Sequence, residues 1–191
     1  TLSMDDYEVC ALSGMYNAEG EGSIDADMTL SRTPLLLLNG FVPDRLIHFK
    51  GYAQGEVKVK GSLSRPDVNG ELYFDSAYVA SDPYGVQMRL CDDQLTINNS
   101  RLQFENFQMF ARNGNALTLY GYFDFANFDR MKTYLRMRAD NYLLIDAKEN
   151  ARSEAFGKAY VNFLGLVDGP LDALRMRGKL DVLGSSDVTY I

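Results

Sequence analysis

The chain has 191 residues, 46% of them apolar, with 12 Tyr, 11 Phe and no Trp. This composition excludes a disordered tail and suits strands more than helices. A net charge of −7, with Lys and Arg gathered into no basic stripe, argues against a nucleic-acid surface and more weakly against an anionic membrane surface. No run approaches the roughly 20 apolar residues of a membrane helix; the longest, Leu35 to Leu38, is far shorter.

The dominant pattern is alternation with period two, which gives a strand one apolar and one polar face. Ile24, Ala26, Met28 and Leu30 alternate with Asp25, Asp27 and Thr29. Val57, Val59 and Leu63 alternate with Lys58, Lys60 and Ser62, and Leu174, Met176, Leu180 and Val182 with Arg175, Arg177, Lys179 and Asp181. In chain order the pattern predicts strands near 5–16, 22–32, 46–53, 55–63, 69–79, 85–91, 93–98, 100–111, 115–125, 131–139, 141–147, 157–167 and 172–183. Short intervening turns argue antiparallel pairing rather than βαβ crossovers. One helix is expected from Pro34 to Phe41, capped by Thr33 and ended by Gly40, with a single turn near Asn127–Arg130. Asn39-Gly40, Asn69-Gly70 and Asn113-Gly114 read as tight turns. The five prolines fall between the alternating runs, as a hydrogen-bonded ladder requires. An internal echo, Gly61 to Pro66 against Gly165 to Pro170, each followed by a Gly-x-Leu start, suggests a reused hairpin.

These elements predict an all-β fold in one domain, residues 1–191, with 1–20 as an N-terminal extension. The chain opens at Thr1 without Met and stops in a strand-like pattern at Ile191, so it reads as a segment of a longer protein. Cys10 and Cys91 lie in no metal-like spacing and read as free thiols.

Catalytic chemistry finds no foothold. The single histidine, His48, sits beside Ile47 and Phe49 on the polar parity of its strand, with no second His or thiol nearby in sequence. Asp92-Asp93 stands where a hairpin is expected to turn, and adjacent residues such as Asp5-Asp6 face opposite ways on a strand. Gly14, Gly20 and Gly22 lack the following helix that a phosphate cradle needs. No enzyme, metal or cofactor is expected. Tyr73, Tyr120 and Tyr122 fall on the polar parity, either as cross-strand pairs or as a carbohydrate platform.

The segment from Pro34-Leu-Leu-Leu-Leu through Val42-Pro43-Asp44, Phe49-x-Gly51, Gly55 and Val57-x-Val-x-Gly61-x-Leu-x-x-Pro66-x-x-x-Gly70-x-Leu resembles the C-terminal domain of the TamB family. Those are AsmA-like, bridge-like proteins of Gram-negative envelopes. Leu95-x-Ile97-x-Asn-Ser100-x-Leu-x-Phe104, Leu117-x-Leu-x-Gly121-x-Phe, Gly169-Pro170-Leu171 and Leu174-x-Met-x-Gly178-x-Leu extend the resemblance over residues 20–191. It implies an elongated, curled, mostly antiparallel sheet forming an open hydrophobic trough (a "β-taco"). It also implies a periplasmic protein anchored to the inner membrane by parts absent here, and an outer-membrane barrel partner of the Omp85 class. The resemblance brings no catalytic residues.

Three functions follow as expectations. The first is a conduit carrying phospholipid acyl chains between inner and outer membranes, lined by Ile24, Met28, Val57, Val59, Leu72, Phe74, Phe104, Leu119, Phe123, Met137, Met176 and Leu180. The second is a chaperone-like groove for amphipathic β-strands of outer-membrane barrel proteins during assembly or secretion. The third is a carbohydrate-binding sandwich. Whether the apolar face is a core or a channel stays open at this point.

Overall fold

The structure is a computed structural model and describes residues 2–4, 7–20, 22–41, 48–62, 64–81, 85–149 and 155–190. Among them thirteen strands join in one antiparallel sheet. They are β1 (Leu2–Met4), β2 (Tyr7–Asn17), β3 (Ser23–Pro34), β4 (His48–Ser62), β5 (Arg65–Ser81), β6 (Val86–Leu90), β7 (Leu95–Asn98), β8 (Arg101–Phe110), β9 (Ala116–Asp124), β10 (Lys132–Ala147), β11 (Ala155–Pro170), β12 (Arg175–Val182) and β13 (Asp187–Tyr190). The all-β expectation is met, and sequence neighbours are sheet neighbours, as in a meander. Two positions in the sheet are shared. β6 and β7 run end to end between β5 and β8, and β12 and β13 run end to end along β11.

Several boundaries differ from expectation. The expected segments 46–53 and 55–63 meet in one strand, β4 (His48–Ser62), whose pairing with β5 runs unbroken through the expected break at Gln54; its register shift against β5 comes earlier, at Gly51. Segments 131–139 and 141–147 likewise join in β10, with a register shift where Asn141 takes φ +47°. Asn69-Gly70 lies inside β5, and Asn39-Gly40 inside a 3-10 helix. Of the three Asn-Gly pairs only Asn113-Gly114 turns a hairpin, joining β8 to β9 with Gly114 at φ +82°. Asp92-Asp93 is no hairpin turn either; it interrupts the line between β6 and β7. The expected helix is the 3-10 segment Leu35–Phe41, and Pro34 ends β3 instead of starting it. The Asn39 side chain joins that segment to β4, accepting from the Phe49 N–H at 2.7 Å and donating to its carbonyl at 3.2 Å. The turn near Asn127 is the 3-10 segment Phe128–Arg130, and the Asn127 side chain accepts from Asp129 N–H at 3.0 Å. The internal echo is not a structural repeat. Gly61 to Pro66 spans the β4–β5 hairpin, whereas Gly165 to Pro170 lies within β11. Asp5-Asp6, Pro43 and Pro83 lie outside the described residues.

The apolar face packs against itself. Leu35, Ala53, Ala77, Leu90, Leu95, Phe107 and Leu119 form a buried cluster drawn from the 3-10 segment and strands β4 to β9. Phe107 is 4% and Leu95 2% exposed. A flat single layer cannot bury side chains of that size, so the sheet must curve over them. The curvature closes at the β8–β9 hairpin tip. There β6 and β10 both run past the shorter hairpin, and Met88 of β6 packs beside Tyr142, Leu143 and Val161 of β10 and β11. Arg112 at the tip bridges them, its Nε donating to Gln87 Oε1 at 2.9 Å and its Nη1 to Asp146 Oδ2 at 3.4 Å. At the other end Ser100 is 1% exposed. Its hydroxyl donates to the Pro66 carbonyl (2.6 Å) and accepts from Val68 N–H (2.9 Å), tying the β7–β8 turn to β5.

Candidate functional site

Strand register defines the apolar face as rows of residues crossing the sheet, because directly opposed residues share a face. One row runs Leu12, Met28, Val57, Gly70 and Ile97 across β2, β3, β4, β5 and β7. Another runs Phe107, Leu119, Met137, Gly165 and Gly178 across β8 to β12. Next to it run Ala139, Phe163 and Leu180, and on the other side Leu135, Val167 and Met176.

All twelve residues expected to line a groove fall on this face, but in two environments. Val57 and Leu119 are buried, and Leu72, Phe74, Phe104 and Met137 pack against the central cluster. Phe104 meets Phe107 edge-on at 5.7 Å, and Phe74 meets it at 6.1 Å. Here the face is filled by the protein's own side chains. Ile24, Met28, Val59 and Phe123 are half-buried around Val57, Val68 and Ile97 or at their margin. Met176 and Leu180 stand open, 67% and 50% exposed.

The apolar face therefore outruns its own core at both flanks. On the β11–β12 flank Val182 joins Met176 and Leu180 in the open. On the β2–β3 flank Leu12 and Tyr16 stand on the same face, opposite Met28 and Ile24, and both are exposed. The sequence reading passed over Leu12, Tyr16, Phe163 and Val167, and left Val182 out of the lining set although it stood on the apolar parity. Leu12 and Tyr16 share one parity across Gly14, and Phe163 and Val167 one across Gly165; counting parity through the glycines recovers them.

The outer face is mostly polar and largely self-neutralised, although Met15 and Leu164 also stand exposed on it. Lys58 and Lys60 meet Asp27 and Asp25 in register at 3.3 and 3.2 Å, and Arg101 meets Asp124 at 2.9 Å. A depression of about 850 Å3 over β3 to β5 carries Asp27, Glu56, Lys58, Glu71 and Tyr73. The tyrosines are engaged with neighbours in the sheet. Tyr122 stacks on its in-register partner Tyr134 at 6.0 Å, with the Arg101 guanidinium 5.1 Å from its ring. Tyr73 donates to Gln94 Oε1 at 2.9 Å and Tyr120 to Asn106 Oδ1 at 2.7 Å.

His48 begins β4, half-buried opposite Ala80. No group of three His, Cys, Asp or Glu side chains among the described residues is placed to hold a metal ion. Cys10 and Cys91 are both free thiols. Burial pushes the Cys91 thiol up, and Gln108 N–H points at its sulfur from 3.3 Å. Tyr142 is 2% exposed, its hydroxyl has no hydrogen-bond partner among the described residues, and burial pushes its phenol up as well. What the arrangement offers chemically is an apolar surface.

No protein-family model, curated protein or solved structure matches the chain.

Proposed function

We propose that this chain is a non-enzymatic segment of a periplasmic envelope protein of the TamB type, whose apolar face conducts phospholipid acyl chains between inner and outer membranes. In this reading the sheet is a trough. The anchor in the inner membrane and the contact with an Omp85-class barrel belong to other parts of the protein. The observation that carries the proposal is the continuation of one apolar face past its packed centre, to Met176, Leu180 and Val182 on one side and Leu12 and Tyr16 on the other. Exposed apolar residues gathered on one face mark a binding surface more than singly scattered ones do. Each methylene of an acyl chain laid there gains about 0.8 kcal/mol without a directional bond, so a lipid can slide while its headgroup stays in water.

The test is binding of a fluorescent phospholipid to the purified chain and to the Met176→Arg/Leu180→Arg variant. Both side chains are at least half exposed, so the variant keeps the parent's melting temperature. The expected result is a loss of lipid binding of about tenfold or more, from removing several methylene contacts. Equal binding by the two proteins overturns the proposal.

A further inference from the structure

The outer face of β10 to β12 gathers cations that lie scattered along the chain. Arg136 and Arg138 of β10 stand in register with Leu166 and Leu164 of β11, and those leucines stand in register with Arg177 and Lys179 of β12. Two rows result, each a leucine between two cations, and on β9 they continue to Tyr120 and Thr118 without a carboxylate. The next row carries Tyr122, Tyr134, Asp168 and Arg175. Asp168 is shared by Arg175 and Arg177, Asp140 meets Arg138 at 3.1 Å and Asp181 meets Lys179 at 2.7 Å. Arg136 meets none of the three; its Nε donates to the Tyr134 hydroxyl at 3.3 Å. Five cations therefore face three carboxylates, a positive excess on one face of a chain whose net charge is −7. Arg136, Arg138, Arg177 and Lys179 are all exposed, and Leu164 among them is 64% exposed. A depression of about 210 Å3 beside Leu164 has Arg138 and Lys179 in its walls, together with Asp140, Asn162 and Asp181.

We propose that this outer face docks onto a lipid bilayer bearing acidic headgroups. Lipid phosphates stand over Arg136, Arg138, Arg177 and Lys179, and Leu164 enters between the headgroups. Three features together select this occupant. The cations lie about 7 Å apart along each strand and about 10 Å apart across β11, a two-dimensional array that a plane of headgroups covers at once and a single bound peptide reaches only in part. An apolar side chain exposed among cations gains nothing from a soluble polyanion, but it gains from the acyl boundary beneath lipid headgroups. Tyr120, Tyr122 and Tyr134 on the same face are of the amphipathic type enriched at membrane–water interfaces.

β12 carries Met176 and Leu180 on its other face, so a docked sheet holds its open apolar flank beside the membrane. The inference concerns the outer face and does not depend on what the inner face carries.

The experiment is co-sedimentation of the 191-residue chain with vesicles of phosphatidylcholine alone or mixed with phosphatidylglycerol. Binding is expected to the mixed vesicles only, weakening as salt rises. The Arg136→Gln/Arg138→Gln/Arg177→Gln/Lys179→Gln variant changes exposed side chains, keeps the parent's melting temperature and binds about tenfold more weakly or worse. Leu164→Asn lowers vesicle binding about tenfold and leaves any binding of dextran sulfate, a soluble polyanion, unchanged.

Equal binding of neutral and mixed vesicles overturns the proposal, as does equal binding by the parent and the four-Gln variant, or by the parent and Leu164→Asn. Tighter binding of poly-glutamate than of the mixed vesicles assigns the face to an acidic protein and overturns it as well. The four-Gln variant leaves Met176 and Leu180 in place, so its binding of monomeric fluorescent phospholipid stays at the parent's level and either proposal can fail alone.

Discussion

Gly85 packs against Ala147 with no room for a side chain: a Cβ built on Gly85 would lie 2.6 Å from the Ala147 Cα, and Gly85 holds φ +60°. This contact lies where the segment leading into β6 meets the end of β10, next to the Arg112 bridge. It marks the place where β6 and β10 meet past the β8–β9 hairpin.

Gly85→Ala forces a side chain into that contact and into an unfavourable backbone conformation. The expected loss is about 1–3 kcal/mol by chemical denaturation. Arg112→Ala removes only exposed polar bonds and costs under about 1 kcal/mol. Equal costs for the two variants would show that the closure depends on the bridge rather than the backbone contact.

The two environments of the apolar face predict opposite responses to truncation. Phe107→Ala, at the centre of the packed cluster, is expected to cost about 3–5 kcal/mol. Leu180→Ala lies on the same face at the open flank and is expected to stay within about 0.5 kcal/mol of the parent. Comparable losses at both positions would mean that the β12 flank is covered in solution.

Ser100→Ala leaves the buried Val68 N–H without the hydroxyl it donates to, at a cost of about 1–3 kcal/mol. Ser100→Thr keeps the hydroxyl but adds a methyl group at a residue 1% exposed with φ +57°, so it does not restore stability. Thermal melts of both variants check this pair of outcomes.

Tyr142→Phe deletes a buried hydroxyl that lacks a partner among the described residues, so it is expected to raise stability, by about 1 kcal/mol.

Stability should also fall at alkaline pH. Burial raises both Cys91 and Tyr142, so the folded state keeps their protons while the unfolded chain releases them near pH 8.5 and 10. Where the unfolded state binds fewer protons, stability falls as pH rises; below about pH 8 neither group contributes a slope. Denaturation midpoints from pH 7 to 10.5 should fall less steeply for Cys91→Ala/Tyr142→Phe than for the parent.

Much of the fold was legible because period-two alternation reports directly on strands. The Ile24–Leu30 and Arg175–Val182 patterns lie within β3 and β12. The errors share one cause. A boundary such as the one expected at Gln54 or at Asp140 looks the same in sequence whether the chain turns back or continues, and only pairing with the neighbouring strand chooses between them. The same ambiguity made Asn69-Gly70 resemble a turn when it lies within β5.

The candidate face was legible by parity but not by environment. Phe104 and Leu180 look alike in sequence, each apolar and flanked by polar residues. Alternation determines which face a side chain takes, because the pleat is a local property of the backbone. Tertiary structure alone decided that Phe104 packs into a closed core and Leu180 stands in the open, because burial depends on how far the sheet curves and which strand lies at its edge. The sequence by itself determined one continuous apolar face. Curvature divided that face into a filled centre and uncovered flanks.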